Sequence, residues 1–404
     1  MGDYEAASTG PLTGLPADWP APDPDALALS RELVQRLHQR IAEQGALPFD
    51  AWMESVLYEP GLGYYSAGQE KFGEAGDYVT APGISPLFAW TLAGECADAL
   101  QACGGDTILE LGPGDGGLAA ELLAELERRG RLPARYCLLE RSASLRARQH
   151  ERLERSVPHL LDRVHWLDTL PPSPMRGVIL GNEVLDALPV ARFRRDSDRV
   201  EELLVTAAGD GFAWTRAPAR PAVAEAVTAI EAELGQVLPP GYVSEVCLQL
   251  PAFMASLADS LERGLVLLVD YGYPRREYYR ADRDEGTLVC HYRHRAHWDP
   301  LLVPGLQDVT AFVDFTAAAA GAQDAGLDVL GFTTQAHYLM GAGITGLLEA
   351  RQGDDPLEST RLAQQAKTLL LPGGMGERFR VLAAATAGIP TPAGFSLYNH
   401  LASL

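Results

Sequence analysis

The stretch LELGPGDGGLAAELL (residues 109–123) joins the end of an apolar strand, a glycine-rich loop and the start of a helix rich in alanine and leucine. Gly112, Gly114 and Gly117 have the Gly-x-Gly-x-x-Gly spacing of loops that set a helix N-terminus against a nucleotide cofactor. Such a loop can serve a dinucleotide or S-adenosylmethionine, and it can also be a tight turn without any ligand. Whether the loop binds a dinucleotide or S-adenosylmethionine decides whether the protein is an oxidoreductase or a methyltransferase.

Alternating strands and helices around this loop indicate the fold. Segments typical of strands lie at residues 107–111, 135–140, 163–166, 177–183, 265–273, 327–334 and 378–386. The run at 265–273 is apolar except for Asp270, as in a strand covered on both faces. Because helical segments at 118–129 and 143–155 separate the first strands, the pattern predicts an α/β fold with a doubly wound, Rossmann-like parallel sheet and right-handed crossovers.

The remaining segments suggest how the chain is divided. We predict a flexible leader at 1–26, N-terminal helices with a glycine- and aromatic-rich lid segment at 27–104, a cofactor-binding core at 105–190 and 260–388, insertions at 191–259 and 274–325, and a tail at 389–404. Ligands of such sheets bind at the carboxyl ends of the strands. The insertions are therefore expected to form a subdomain on the substrate side of the sheet.

Charge and composition restrict the partners and the location. The chain of 404 residues has 33 Lys and Arg against 54 Asp and Glu, a formal net charge of -21. Nucleic-acid binding depends largely on basic residues, so we expect no nucleic-acid partner. The five scattered cysteines indicate free thiols in a reducing compartment. Since no apolar run is long enough to span a membrane and the acidic start resembles no targeting peptide, we expect a cytoplasmic protein without membrane insertion.

Two acidic residues distinguish between the cofactors. Glu110 stands two residues before Gly112, where a carboxylate would repel a pyrophosphate but suit the cationic ammonium and sulfonium groups of S-adenosylmethionine. Glu140 ends the second strand and can accept both ribose hydroxyls, although NAD sites use the same device. Pro113 removes one backbone donor from the loop. These residues favour a methyltransferase over an NAD or flavin oxidoreductase and over a binding module without cofactor.

The candidate cofactor-binding residues lie in the glycine loop, at later strand ends and in the glycine-rich segment before the first strand. They are Glu110, Gly112, Pro113, Gly114, Asp115, Gly116, Glu140, Asp168, Gly76, Asp77 and Thr80. Asp168 follows the third strand, where adenine contacts arise, and a solvated loop aspartate is the alternative. The segment with Gly76, Asp77 and Thr80 could fold over the donor as a lid or form a structural loop.

Seven motifs in a fixed order resemble the MidA family. They are GYYSAGQEKFGEAGDYVTAPGISPLF (63–88), LELGPGDGGL (109–118), GNEVLDALPV (181–190), LLVDYGYP (267–274), DVTAFVDFTA (308–317), GFTTQAHYLMGAGI (331–344) and MGERFRVL (375–382). The resemblance implies a class I S-adenosylmethionine-dependent methyltransferase with seven strands, the last of them antiparallel. The family includes a mitochondrial arginine methyltransferase that acts in complex I assembly. The resemblance therefore implies a protein substrate with an exposed arginine, with a respiratory-complex subunit as the candidate partner.

Polar residues after the fourth and fifth strands are the candidates for catalysis. Asn182, Glu183 and Asp186 follow strand four, and Asp270 and Tyr271 end strand five at the same edge. Carboxylates can orient an arginine guanidinium by bidentate hydrogen bonds. The competing interpretation is a helix cap, a turn or a packed tyrosine with a satisfied hydroxyl.

Two further expectations concern metal and activity. His291, His294 and His297 have the spacing H-x-x-H-x-x-H, but this interval drifts off one helix face and adjacent arginines add positive charge, so we predict no metal site. An assembly factor or adaptor that keeps the fold without turnover is the main alternative to a catalyst. The sequence makes no prediction about the oligomeric state.

Overall fold

The computed structural model describes residues 15–16, 18–67, 81–351 and 356–404. The helices are α1 Pro24–Gln44, α2 Phe49–Tyr58, α3 Ala81–Ile84, α4 Pro86–Cys103, α5 Gly117–Arg128, α6 Ala143–Ser156, α7 Pro221–Leu234, α8 Leu250–Asp259, α9 Arg275–Tyr278, α10 Phe315–Asp324, α11 Gln335–Gly341, α12 Ile344–Arg351 and α13 Pro356–Leu370. Within the described ranges, no helix combines the length and apolar character needed to cross a membrane.

The strands are β1 Leu47–Pro48, β2 Thr107–Leu111, β3 Arg135–Leu139, β4 Val164–Leu167, β5 Met175–Asn182, β6 Ala191–Arg195, β7 Val200–Ala208, β8 Gly211–Pro218, β9 Val243–Val246, β10 Leu261–Tyr273, β11 Val289–Tyr292, β12 Arg295–His297, β13 Asp308–Thr310, β14 Val313–Asp314, β15 Asp328–Thr334 and β16 Phe379–Ala385. Contacts divide the chain into two compact units. The sheet unit contains 79–186, 250–275 and 313–404, and the insertion unit contains 1–78, 187–249 and 276–312.

The sheet unit is built on a mixed central sheet. Its strands run in the order β15-β16-β10-β5-β2-β3-β4, and β14 adds to β10. All neighbours from β10 to β4 pair in parallel, whereas β16 is antiparallel to both β10 and β15. The predicted α/β fold with an antiparallel last strand is therefore confirmed. Apolar side chains on both sheet faces cause this arrangement, because helices must cover a parallel sheet on both sides.

Helices α4 and α5 cover one face of this sheet. Ile108 on β2, Val178 on β5 and Leu267 on β10 belong to one buried cluster with Leu92 of α4 and Leu122 of α5. Each of these side chains is at most 2% exposed. This packing holds the carboxyl end of β2, where the glycine loop begins, on a rigid base.

The insertion unit contains helices α1 and α2 as well as most of the predicted insertions. Its larger sheet has the order β1-β7-β6-β9 with β8 paired to β7, and β12-β11-β13 form a second sheet. Phe49 and Trp52 of α2 pack with Val205 and Phe212 of this sheet in one buried cluster. The helices thus share a core with residues 187–249 and 276–312, which the sequence did not indicate. The placement of this unit on the substrate side of the central sheet stays a prediction.

Several predicted segment boundaries differ from the structure. Helix α4 of the predicted N-terminal segment and α8 of the predicted first insertion both belong to the sheet unit. The end of the expected leader is packed within the insertion unit, where Trp19 stacks on Tyr292 at 6.2 Å and Asp23 caps α1 by accepting from the amide of Ala26. Residues 313–325, which we had assigned to an insertion, form β14 and α10 of the sheet unit. An aromatic ring in a Pro-rich segment was the sequence signal for the packing of the leader.

The C-terminal segment covers the edge of the central sheet. Asn399 uses its side chain like a neighbouring strand, accepting from the amide of Phe332 at 3.1 Å and donating to the carbonyl of Leu330 at 3.0 Å. The amide of His400 donates to the carbonyl of Phe332. These bonds satisfy backbone groups of β15 that an open edge would expose to other chains.

Candidate active site

The glycine loop after β2 takes a conformation that depends on glycine. Gly112, Gly114 and Gly116 have φ values of 55°, 54° and 82°, in the left-handed region that disfavours other residues. Gly117 has no positive φ and begins α5, so the third special glycine is Gly116 and not the Gly117 of the fingerprint spacing. The loop thus brings backbone amides to the N-terminus of a helix, where a polar ligand can be bound.

Asp115 in this loop serves the start of α5. Its Oδ1 accepts from the amide of Gly117 at 2.9 Å, and its other oxygen forms an ion pair with Arg152 of α6. A side chain used in this way stabilises the loop. A direct contact of Asp115 with a cofactor stays a prediction.

Glu140 and Gln149 form the wall beside the loop. Glu140 is 9% exposed and accepts from the amide of Ser142 at 2.7 Å. Gln149 is fully buried and donates from Nε2 to the carbonyl of Gly114 at 2.8 Å and to Glu140 Oε2 at 3.3 Å. Its Oε1 accepts from the indole of Trp166 at 2.9 Å. One side chain therefore joins the glycine loop to the carboxylate at the end of β3.

Gln149 was not among the predicted site residues, although the sequence contains a signal for it. Leu145, Gln149 and Leu153 lie four residues apart and form the buried stripe of α6. A polar residue inside an apolar helical stripe needs buried hydrogen-bond partners, which points to a specific role.

Asp168 lies at the surface near this wall. It is 78% exposed and pairs with Arg146 at 2.7 Å, and Arg146 also donates to the carbonyl oxygen of Glu140 at 2.7 Å. An exposed ion pair contributes little free energy, so the aspartate can exchange this partner for another. Its predicted contact with adenine stays a prediction.

Glu110 is buried and does not lie at the surface of the site. This corrects the prediction that its negative charge selects S-adenosylmethionine over a pyrophosphate. Glu110 is 2% exposed on β2, and its Oε2 accepts from the hydroxyl of Tyr136 at 2.6 Å. Burial is the main cause that raises the pKa of Glu110 to about 7, and the charge of Asp115 adds to it. A buried carboxyl that is about half protonated near pH 7 repels a pyrophosphate less than an exposed carboxylate would, so the choice of cofactor needs other support.

The raised pKa of Glu110 makes a prediction about stability. The folded pKa, about 7, lies above the ordinary value of 4.5, so the folded protein holds this proton more tightly than the unfolded chain does. Its stabilising contribution is complete below pH 4.5 and is lost as the pH rises through 7, by about 3 kcal/mol in total. We expect Glu110→Gln to be more stable than the wild type at pH 8 and to show a smaller loss between pH 5 and pH 8.

Urea unfolding of both proteins at pH 5, 6.5 and 8 measures this difference. Glu262→Gln is a suitable control, because Glu262 is 55% exposed and its hydrogen bond with Arg176 lowers its pKa, so it stays ionised from pH 5 to pH 8. Parallel stability curves for the wild type and Glu110→Gln would contradict the prediction.

The turn after β5 carries the second group of candidates. Glu183 has a φ of 55° and donates its amide to the carbonyl of Val269 at 2.9 Å. The amide group of Asn182 donates to Glu183 Oε1 at 3.0 Å. Asn182 Oδ1 is buried and has no hydrogen-bond partner among the residues that the structure describes. A left-handed glutamate costs about 1–3 kcal/mol and is typical of functional sites.

Asp270 supports this turn from below and does not line an acceptor channel as predicted. It is 1% exposed at the end of β10. Its Oδ2 accepts from the amides of Val184, Leu185 and Asp186 at 3.0, 2.8 and 3.3 Å, and its Oδ1 accepts from the amide of Tyr271 at 2.9 Å. Burial, followed by the charges of Asp186 and Glu183, raises the pKa of Asp270 well above its usual value. Its oxygens are used by the backbone, so Asp270 is a positioning residue.

Tyr271 and Asp186 lie beside this support. The ring of Tyr271 contacts Phe379 of β16 edge to face, with the ring centres 5.5 Å apart. Asp186 is 5% exposed at the end of the turn. Direct roles for both residues stay predictions.

The glycine loop and the acidic turn lie at one edge of the sheet. A Cβ added to Gly112 would be 3.3 Å from Val184 Cγ2, so the loop lies close to the side chain of Val184 in the turn. This edge combines a loop whose conformation favours glycine, the buried carboxylate of Glu140 and the Oδ1 of Asn182, which has no hydrogen-bond partner among the described residues. Those donors and acceptors fit the carboxylate, ribose and ammonium groups of S-adenosylmethionine.

Two further groups of residues come from the sequence: the glycine-rich segment before the first strand and the three histidines. Gly76, Asp77 and Thr80 fall outside the described residues. His291 lies on β11 and His297 on β12, where the register pairs Cys290 with His297 and therefore puts the two imidazoles on opposite faces of the hairpin. Among the residues that the structure describes, no group of three His, Cys, Asp or Glu residues is arranged to hold a metal ion.

Comparison with known proteins shows the family. Residues 91–333 match the model of a family described as S-adenosyl-L-methionine-dependent methyltransferase. The chain belongs to this family. The predicted cofactor and the predicted enzyme class are thus confirmed, and the MidA-like resemblance is supported.

A solved structure and two curated proteins are similar over nearly the whole chain. A Burkholderia thailandensis structure bound to S-adenosyl-homocysteine is 41% identical, with a TM-score of 0.91 and coverage of 96% of this chain and 100% of that one. The Danio rerio protein arginine methyltransferase NDUFAF7, mitochondrial, is 28% identical over 87% of this chain and 86% of its own. The Homo sapiens protein of the same name is 27% identical over 87% and 82%.

These relatives also contradict the expected cytoplasmic location. The names of the Danio rerio and Homo sapiens relatives place both proteins in mitochondria. The reasoning from an acidic N-terminus was wrong, because the absence of a recognisable targeting pattern is not evidence for a compartment.

Proposed function

We propose that this S-adenosylmethionine-dependent methyltransferase methylates an arginine side chain of a protein. The observation that carries the proposal is the turn after β5, where Asn182 positions Glu183 and Asp270 positions the turn itself. The turn lies next to the glycine loop, as an acceptor site must. The names of the curated relatives support arginine as the acceptor.

The residues beside the loop would hold the cofactor. The carboxylate of Glu140 would accept from the ribose hydroxyls, and amides of the loop from Gly112 to Gly116 would face the carboxylate of the methionine part. When bound, S-adenosylmethionine supplies an activated methyl group to a nucleophile. The loop itself would contribute pre-organisation, because three left-handed glycines determine its shape before the cofactor binds.

The acidic turn would orient the acceptor. A guanidinium presents planar N–H donors that match a carboxylate. Glu183 would accept two of these bonds, and the buried Oδ1 of Asn182 could accept one more. Asp186 would add negative charge that keeps the cation in place while the nucleophilic nitrogen is aligned.

The partner in this proposal is a protein with an exposed arginine in a basic region. A formal charge of -21 favours association with cationic segments through long-range attraction. A respiratory-complex subunit is the first candidate, on the strength of the MidA resemblance. Charge attraction predicts that substrate capture weakens as the salt concentration rises.

Glu183→Gln tests the proposed acceptor site. We expect kcat/KM for arginine methylation to fall by about tenfold to thirtyfold, because a neutral amide replaces one charge-assisted hydrogen-bond acceptor. The affinity for S-adenosylhomocysteine should stay within about threefold, since Glu183 faces the acceptor and not the donor.

The measurement uses radioactive methyl donor with a mitochondrial extract depleted of this activity, followed by mass spectrometry of the labelled residue. Glu262→Gln, on the exposed start of β10, is the matched control and should behave like the wild type. Methylation of a residue other than arginine would overturn the substrate assignment. Binding of S-adenosylhomocysteine and of a partner without any methyl transfer would support the adaptor in its place.

A further inference from the structure

The side-chain amide of Gln149 is buried, and both its oxygen and its nitrogen have hydrogen-bond partners beside the glycine loop. Trp166 can only donate from its indole nitrogen, so the oxygen of the Gln149 amide must face it. The nitrogen then faces two acceptors, the carbonyl of Gly114 and the carboxylate of Glu140. The orientation of the amide is therefore determined by chemistry, and no other neutral side chain of this size offers the same set.

Helix α6 also lies against the loop at this residue. A Cβ added to Gly116 would be 3.2 Å from Gln149 Cα and 3.3 Å from its Cγ. The backbone of α6 therefore limits how far the loop can move, while the side chain of Gln149 holds the loop at Gly114. Gln149 contacts the loop at two successive left-handed glycines.

We propose that Gln149 is a positioning residue for the methyl donor. It holds the glycine loop and the carboxylate of Glu140 at a constant separation. The loop amides can then contact the methionine carboxylate of the donor while Glu140 contacts its ribose. Trp166 anchors it from the opposite side. This inference rests on the proposed cofactor contacts of the loop and of Glu140.

The substitution Gln149→Glu tests the role by changing one atom. At pH 8 an ionised carboxylate still accepts from Trp166 but cannot donate to Gly114, and it repels Glu140. We expect the affinity for S-adenosylhomocysteine to fall about tenfold to 100-fold at pH 8. At pH 5.5 protonation of the introduced carboxyl gives back one donor, for Gly114 or for Glu140 but not for both, so part of the lost affinity should return. Gln149→Met lacks all three bonds and should bind weakly at both pH values.

The control is Gln335→Glu, in α11 of the same unit. Gln335 is also fully buried, and its Nε2 donates to the carbonyl of Leu369 at 3.1 Å. Both substitutions bury an acidic group and should lower the melting temperature in the absence of ligand. Only the change at Gln149 should alter the affinity for S-adenosylhomocysteine, as measured by calorimetry, and the environment of Trp166, as measured by its fluorescence.

The outcomes separate this inference from the function on which it rests. If the wild type fails to bind S-adenosylhomocysteine, the proposed cofactor contacts are wrong. If the wild type binds and Gln149→Glu binds equally well at pH 8, the positioning role of Gln149 is wrong. A loss of affinity that is the same at pH 5.5 and pH 8 would also overturn it, because the donor restored at pH 5.5 should recover part of the affinity. Gln335→Glu shows how much of any recovery comes from folding stability alone, since protonation also relieves the burial of its charge.

Discussion

Asp270→Asn is expected to reduce methyl transfer at least about 100-fold while leaving most of the affinity for S-adenosylhomocysteine intact. The two oxygens of Asp270 accept from four backbone amides, three of them in the turn 184–186. An asparagine offers one oxygen, and its NH2 group must then face an N–H donor. Each buried amide left without an acceptor costs about 1–3 kcal/mol. The turn should move, and Glu183 with it.

Steady-state methylation and urea unfolding measure both effects. We expect a fall in kcat and a lower unfolding free energy, with the dissociation constant for S-adenosylhomocysteine changed by no more than about threefold. Asp259→Asn is the control, because Asp259 is exposed at the end of α8 in the same unit. Full activity of Asp270→Asn would contradict the prediction and show that the turn tolerates a donor at this position.

Gly116→Ala should abolish tight cofactor binding, with an increase of at least about 100-fold in the dissociation constant for S-adenosylhomocysteine. Two physical effects add at this position. The φ of 82° is left-handed, which costs a residue with a Cβ about 1 kcal/mol. The added Cβ also lies 3.2 Å from the backbone of α6 at Gln149, so the loop must shift away from the helix.

Gly130→Ala separates the two effects. Gly130 has a φ of 64°, and a Cβ there would meet nothing within 4 Å. We expect this variant to lose a similar amount of stability from backbone strain but to bind S-adenosylhomocysteine like the wild type. Calorimetry and thermal melting of both variants test this pair. Equal affinities for the two variants would show that contact with α6 does not control the loop.

The fold was predictable because its signals are local. The strands from β2 to β5 and the strands β10, β15 and β16 are segments rich in apolar residues, and the helices between them have clear apolar faces. Their alternation leaves few possible topologies once right-handed crossovers are required. By contrast, the shared core of α2 and β7 joins residues far apart in sequence, and no local pattern reports such a pairing.

The site was predictable in location but less so in the role of each residue. Candidates at the ends of β2, β3, β5 and β10 meet at one edge because parallel strands end there. Glu110 shows the limit of that reasoning. Side chains alternate along β2, so the side chain of Glu110 lies on the same face as Ile108, which α4 and α5 cover. Burial there raises the pKa of Glu110. Asp270 shows the same limit, since backbone amides occupy its oxygens.

From the order of its residues alone, this chain determines a class I methyltransferase sheet, a glycine loop after the first strand of that sheet and an acidic turn after the fourth. Apolar periodicity and glycine spacing act over a few residues, so they can be recognised without coordinates. Only the tertiary structure decides which carboxylates face a ligand and which support the backbone, and that Gln149 links the loop to Glu140. The physical reason is that burial and hydrogen-bond partners are contributed by other strands and helices, and these set the charge and the role of each polar side chain.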